Sequence, residues 1–522
     1  MAAAVSDGGA VAAGDPATAA AAAEILAAGG NAFDAALAAL AAACIAEPIL
    51  SGLGGGGFLL ARPADGDPVL YDFFAQTPKA ARADGEVDFR PILADFGPAT
   101  QEFHIGLAAV ATPGMVKGMF AVHRDLARLP IARIFEPAIR LARDGVALSA
   151  MQAYIIDVVK PIVLAHPLCA ALFASPATPD RLVRAGDSFR WPALADTLEA
   201  LARDGQRLFY EGEIAATIIA GCRDRGGHLT AADLSGYRVE RRPPLARRYR
   251  GARILTNPPP SAGGVLIAFA LALLEKRRFR SADRGGADHL AVLARVMRLT
   301  NRARIDSDLA TDPEGAARRL GDPALLAAYR DQVKTAPRAD RGTTHISVVD
   351  RAGNAASLTV SNGEGCGYMT GRAAGFMLNN MLGEEDINPR GFHNWPPDTR
   401  LSSMMAPTLV IGRRGGVTAL GSGGSNRIRS AILQVLVNRL AFRLPLDRAV
   451  NAPRLHMEGD FLDVEAGPPD AAIAAAVAEA AGHKLWPAHN LFFGGVNAVH
   501  ADADGTMTGL GDPRRGGAAV VV

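Results

Sequence analysis

Residues 341–361 read RGTTHISVVDRAGNAASLTVS, and this stretch decides how the rest of the chain is read. Residues 344–349 are rich in β-branched types, Asp350-Arg-Ala-Gly-Asn354 supplies turn chemistry, and residues 355–361 form a second run of strand character. The pattern predicts a β-hairpin whose first strand opens on Gly342-Thr343-Thr344. A glycine abutting a threonine at a strand entry is a place where a chain can cut itself. Scission between Gly342 and Thr343 would give Thr343 both a hydroxyl nucleophile and a free α-amine. An amine with a pKa near ~8 serves as its own general base.

Composition narrows the function classes. A chain of 522 residues suffices for one large domain or two closely packed parts. With 49% hydrophobic residues and a mean hydropathy of +0.12, an ordinary buried core is expected. A net charge of +2 lacks the electrostatic footprint of a nucleic-acid binder. The four cysteines, Cys44, Cys169, Cys222 and Cys366, are too few and too scattered for a disulfide framework or a zinc site, so buried reduced thiols and no metal or cofactor are expected. The N-terminal MAAAVSDGGAVAAGDP has neither a basic n-region nor an apolar h-region, which points to the cytoplasm, or to the periplasm only if the N-terminus was trimmed. The alanine-rich run 32–46 is too short for a membrane span and reads as a core helix.

Taken in order, Asp15-Pro16 caps a helix that Gly29-Gly30 ends, and Asn31 caps a second that Pro48 stops. The glycine run 54–57 precedes a strand instead of a helix, so it reads as close backbone packing or a site wall and not as a phosphate loop. Residues 69–74 read as a strand, 130–222 as mainly helical scaffold, and Asn257-Pro-Pro-Pro-Ser-Ala-Gly-Gly264 as a rigid loop feeding an apolar helix. The polar segment 311–341 reads as a surface linker into the hairpin. Further on, Gly421-Ser-Gly-Gly-Ser425 leads directly into an amphipathic helix from Asn426. Unpaired N–H groups and the positive dipole end converge there, an arrangement suited to phosphate or to a developing oxyanion.

With Gly342-Thr343-Thr-His345, Leu401-Ser-Ser-Met404 and the 421–427 segment in view, the chain resembles the γ-glutamyltranspeptidase family of N-terminal nucleophile hydrolases. Gly29-Gly-Asn-Ala-Phe-Asp34, Leu53-Gly-Gly-Gly-Gly-Phe58, Pro258-Pro-Pro-Ser-Ala-Gly-Gly264, Asn451-Ala-Pro-Arg454 and Asp512-Pro-Arg514 extend the likeness over nearly the whole length. The resemblance implies an α+β fold, a four-layer αββα sandwich. It also implies a precursor that cuts itself into a large segment, 1–342, and a small one, 343–522, which stay associated as a heterodimer within one intertwined unit. Thr343 matches the family nucleophile, Ser361 stands where the family has a threonine hydroxyl near it, and the N–H groups of Gly424 and Ser425 fall at the oxyanion hole, the second position usually being glycine. His345 reads as an ordinary strand residue, and Cys366 as a loop thiol.

The acyl-binding side departs from the family. Ser402 and Ser403, its serine pair, are present, but Phe74 stands where it has the arginine that holds the glutamyl carboxylate. Gly363, Met381 and Glu384 replace an asparagine, a glutamine and an aspartate on the amine side. Gln76, Arg82 and Arg400 are the candidates for compensation. The segment 386–400 is much shorter than the usual lid, which favours hydrolysis over transfer. The expectation is a hydrolase of γ-glutamyl or related acyl amides, taking a small-molecule amide and neither nucleic acid nor membrane. A cephalosporin-acylase-like amidase on a non-glutamyl acyl group and an unprocessed binding homologue are the alternatives.

Overall fold

The computed structural model describes residues 4–5, 8–82, 86–95, 100–331, 343–371 and 374–522. The hairpin forms as expected, with strands Thr344–Asp350 and Ala355–Ser361 pairing antiparallel across the 350–354 turn. Both strands are buried along their whole length, because each face of the sheet is covered. Ile346 and Val348 enter the core beneath the N-terminal helices, whereas Ser347 and Ser357 face the second sheet and donate to the carbonyls of Asn497 (3.1 Å) and Leu420 (3.0 Å). This is the period-two alternation of a strand put to two uses, apolar outward to helices and hydroxyl inward to the partner sheet.

Two seven-stranded antiparallel sheets make the middle of the molecule. The first runs Ala518–Val521, Gly9–Ala13, Thr344–Asp350, Ala355–Ser361, Gly56–Arg62, Val69–Phe73, Glu240–Arg242. The second runs Ala4–Val5, Thr506–Leu510, Gly495–Ala501, Val417–Gly423, Thr408–Ile411, Ala252–Thr256, Leu245–Tyr249. Helices Pro16–Ala27 and Ala32–Ala46 cover the outer face of the first sheet, and Ala262–Leu274 and Arg427–Leu440 that of the second, so the layers are αββα. Ala32–Ala46 is buried at every position; its small side chains let it lie close to the sheet and its neighbouring helices. Asn31 and Asp34 close a capping box at its start.

The glycine run before Gly56–Arg62 is close backbone packing, since side chains there would overlap the backbone of 361, 377 and 359. Two expectations change. Within the expected 311–341 linker, residues 332–341 lie outside the described residues, and 311–331 are not a simple linker: Pro313–Gly321 and Pro323–Asp331 are helices that bury Ala316, Leu320, Leu326 and Tyr329. Their first-turn prolines behind Asp312 and Asp322 are start signals that the charged composition obscured. The glycines 421–423 are not loop but the end of strand Val417–Gly423, held by Gly495–Ala501, leaving only 424–426 as the turn before helix Arg427–Leu440. No helix among the described residues is long and apolar enough to cross a membrane.

Candidate active site

Thr343 sits one residue before the hairpin's first strand and is 5% exposed. The register pairs Thr344 with Val360, so one further step sets Thr343 across from Ser361. Its carbonyl is fixed from two sides. Arg515 donates to it from Nη1 at 3.2 Å, and Gly423 lies so close that a Cβ there would overlap the oxygen. Gly342 lies outside the described residues, and with it the expected scissile bond.

The neighbouring Thr344 hydroxyl donates to Glu47 Oε2 (2.6 Å), and Thr18 donates to Oε1 (2.9 Å). Burial raises the Glu47 carboxyl to about 7, with the charge of Asp15 adding to the shift and the two hydroxyls opposing it. A buried carboxyl that holds its proton near neutrality therefore stands directly behind the strand that follows Thr343.

Opposite Thr343, Gly424 has φ 117° and Ser425 φ 48°. Their carbonyls accept from Arg427 N and Ile428 N, starting the helix, while among the described residues neither of their own N–H groups meets an acceptor. The turn is braced from behind. Arg454 donates to the carbonyls of Phe493 and Gly494 and pairs with Asp512 (2.5 Å), and Arg514 pairs with Glu465 (2.5 Å), all four side chains being buried. The 451–454 and 512–514 motifs are thus structural: they hold Gly494 against Gly424 and deliver Arg515 to Thr343.

A cavity of about 70 Å³ joins Thr343, Ser361 and Ser425 to Phe74, Met381, Glu384, Ser402 and Ser403. The serine pair is set by the 257–264 loop. Ser261 Oγ donates to the Ser403 carbonyl (2.7 Å), and Ala262 N at the helix start donates to the same oxygen (2.8 Å). Asn257 holds the Met405 carbonyl at 3.0 Å. Gly363 and Gly424 stand behind the lining. Gly363, with φ 79°, donates its N–H to Ser361 Oγ (3.1 Å), and a side chain there would overlap Asn380 Oδ1 and crowd Glu384 Oε1. Glu384 thus occupies the room that a larger residue 363 would need.

Phe74 is buried and stacks on Phe58 with centroids 5.3 Å apart. None of the three residues expected to compensate for it reaches the cavity. Arg400 is spent on Asp72 (3.0 Å), the Phe74 carbonyl and Tyr237; Arg82 donates to the carbonyls of Cys222, Arg223 and Gly227; Gln76 pairs with Asp398. The cation that does line the cavity is Arg304, from helix Ala287–Asp306. Sequence reading missed it, as it missed Glu47 and Arg515, because each arrives from a distant element; only Arg515 carried a hint, following the 512–514 motif.

The segment 386–400 packs down along 74–78, with Thr77 Oγ1 donating to the Pro396 carbonyl (2.6 Å) and Thr399 N to Thr77 Oγ1 (2.8 Å). His345 is a satisfied core residue between Thr359 (2.7 Å) and Ser347 (2.9 Å), and burial lowers its pKa to about 3, so it stays neutral. All four cysteines are buried and free; Cys366 faces Cys169 at 3.5 Å, and burial raises its pKa far above the thiol range. Among the described residues no cluster of His, Cys, Asp and Glu is arranged to hold a metal.

The family profile described as gamma-glutamyltranspeptidase matches residues 18–522. The chain is 32% identical over 506 residues to an acylase ACY 1 proenzyme of Pseudomonas sp. (strain V22), covering 94% of this chain and 90% of that protein. It is 32% identical over 522 residues to the glutathione hydrolase proenzyme of Escherichia coli (strain K12), covering 93% and 87%. Among solved structures, cephalosporin acylase from Bacillus halodurans is similar with a TM-score of 0.84 at 25% identity, covering 100% of this chain and 97% of that one. With a family match across nearly its whole length and the αββα layers that go with it, the chain belongs to the γ-glutamyltranspeptidase family.

Proposed function

We propose that the protein is a self-processing threonine amidohydrolase that cleaves γ-glutamyl or related acyl amides through an acyl-enzyme. In maturation, Thr343 Oγ1 attacks the Gly342 carbonyl, the peptide nitrogen leaves as the Thr343 amine, and water hydrolyses the ester. That frees a large segment of residues 1–342 and a small one of residues 343–522. In turnover the amine takes the hydroxyl proton as Oγ1 attacks the substrate carbonyl, and the N–H groups of Gly424 and Ser425 receive the developing oxyanion. The amine of the leaving group departs protonated, and water then cleaves the ester.

The observation that carries this reading is one cavity containing Thr343, Ser361 and Ser425 beside a turn whose N–H groups have no acceptor among the described residues. Ser402 and Ser403 at the cavity wall support binding of a polar acyl end. The relatives in two classes, a glutathione hydrolase and an acylase, support amide hydrolysis as the common chemistry. The short 386–400 segment, tied to Thr77 near its end, supports a site with little lid over the ester and hence hydrolysis over transfer.

Purified protein is expected to give two bands on a denaturing gel, of 342 and 522 − 342 = 180 residues. Thr343→Ala should remain one chain and hydrolyse no acyl anilide, while Thr343→Ser, which keeps the hydroxyl, should still be cut. An uncut wild-type chain that hydrolyses amides as well as Thr343→Ala does would overturn the reading.

A further inference from the structure

Two of the four buried thiols meet. Cys169, in helix Pro167–Leu172, donates from Sγ to Cys366 Sγ at 3.5 Å, and the two residues are 0% and 4% exposed. The other two thiols are placed differently: Cys44 Sγ donates to the Leu40 carbonyl (3.4 Å), and Cys222 lies against Gly227. The Cys169–Cys366 contact is framed by its surroundings. His166, one residue before the helix, meets Tyr368 edge-on with ring centroids 4.8 Å apart. Gly367 is fixed by two backbone bonds, its N–H donating to the Leu378 carbonyl (2.9 Å) and its carbonyl accepting from Gly106 N (2.9 Å). Cys366 therefore faces the helix by construction, while Gly365 before it, at φ 110°, takes up a turn that a larger residue would resist. A disulfide holds its sulfurs about 2 Å apart, so closure asks each sulfur to move by less than about 1 Å.

The two cysteines stand on opposite sides of position 342, and 197 residues separate them in sequence. Cys366 also belongs to the turn between strands Ala355–Ser361 and Tyr368–Met369, the turn whose Gly363 N–H holds Ser361 Oγ. A bond from 169 to 366 would tie that turn to the helical scaffold. In a chain cut next to Thr343 it would also keep the unfolded state one molecule instead of two.

We propose that Cys169 and Cys366 are a redox site that closes to a disulfide joining the segments on either side of position 342, with a low-molecular-weight disulfide such as glutathione disulfide as oxidant. Cys366 Sγ, as thiolate, attacks one sulfur of glutathione disulfide and expels one glutathione thiolate. Cys169 Sγ then gives up its proton, attacks the Cys366 sulfur of the mixed disulfide and expels the second. Two cysteine thiols are oxidised, one glutathione disulfide is reduced, and the two protons end on the two glutathione thiols. Burial raises the Cys366 thiol far above its usual range, so attack begins while the 362–367 turn is open; the same burial shields the closed disulfide from reductant.

The test uses the full-length protein, fully reduced and then incubated with glutathione disulfide, both in native buffer and in urea below its unfolding transition. Thiols counted in denaturant should fall from four to 4 − 2 = 2, and the tryptic peptides of Cys169 and Cys366 should be joined. Cys169→Ala and Cys366→Ala should give no joined peptide, whereas Cys44→Ala should still give it. Four thiols after both incubations would overturn the proposal. So would glutathione left on Cys366 without the joined peptide, or a link through Cys44 or Cys222. The thiol count does not depend on the cut proposed above. Where the chain is cut, the oxidised protein should run as one band on a non-reducing gel and as two after reduction. Its urea midpoint should be independent of protein concentration, while that of the reduced protein rises with it. A joined peptide in a chain that stays uncut would support the redox site and remove the self-processing instead.

Discussion

At the scale of single residues, the strand that follows the proposed nucleophile Thr343 has an unusual neighbour. Glu47 accepts from Thr344 inside the core, and its carboxyl is raised from 4.5 to about 7 chiefly by burial. Below pH 4.5 folded and unfolded chains both carry the proton. Between 4.5 and about 7 only the folded chain keeps it, so this residue makes stability fall as pH rises through that window, by about 3 kcal/mol in all, and contributes no further slope above it. Glu47→Gln mimics the protonated form and should gain on the wild type by that amount between pH 5 and 8, measured by urea denaturation at each pH. An unchanged difference across the range would mean that Glu47 is ionised in the folded protein. Glu458 has the opposite sign. Burial is the largest effect and opposes its charge, but Arg429, His456 and Arg304 together outweigh it and hold the carboxyl at about 2, so its contribution is present above 4.5 and is lost as pH falls toward 2.

At the scale of elements, the junction between strand Val417–Gly423 and helix Arg427–Leu440 does the positioning. Ser425 adopts φ 48°, a left-handed conformation that costs a residue with a Cβ about 1 kcal/mol. Its assigned contribution is a backbone N–H, so Ser425→Gly should stabilise the fold by about that much in urea while leaving hydrolysis within about threefold. A large loss of kcat would instead give the serine hydroxyl a part in the chemistry. This junction also shows where sequence is legible. The hairpin 344–361 and the helices at 16 and 32 were readable because their signals are local: alternation, an Asp-Arg-Ala-Gly-Asn turn, a proline or asparagine at a cap. The strand character of Gly421–Gly423 was not, because it depends on pairing with Gly495–Ala501, more than seventy residues away. The same holds for the cavity beside Thr343. Phe74 could be recognised as a missing cation from its own position, but Arg304 and Glu47 reach the cavity region only through the packing of helices on sheets, and no spacing in the chain announces it.

At the scale of the whole molecule, the residues before and after position 342 do not form separate bodies. Gly9–Ala13 is paired on one side with Thr344–Asp350 and on the other with Ala518–Val521, so a strand of the first segment lies between two of the second. Ala355–Ser361 pairs in turn with Gly56–Arg62. In the second sheet, Ala252–Thr256 of the first segment pairs with Thr408–Ile411 of the second. Pulling the segments apart would strip ladder hydrogen bonds from both sheets and expose Ile346, Val348, Leu358 and Val360, all buried at 0% exposure. The proposed scission next to Thr343 would remove one peptide bond and none of these contacts. The cut protein should therefore run as a single species near 54.3 kDa in native size exclusion, separate into two chains only in denaturant, and unfold in one transition. Residues 343–522 expressed alone should aggregate, since their central strands would present unpaired apolar edges where Gly9–Ala13 and Gly56–Arg62 belong. A small fragment that folds alone as a monomer, or segments that part in native buffer, would show that the two sheets do not need strands from both sides of the cut.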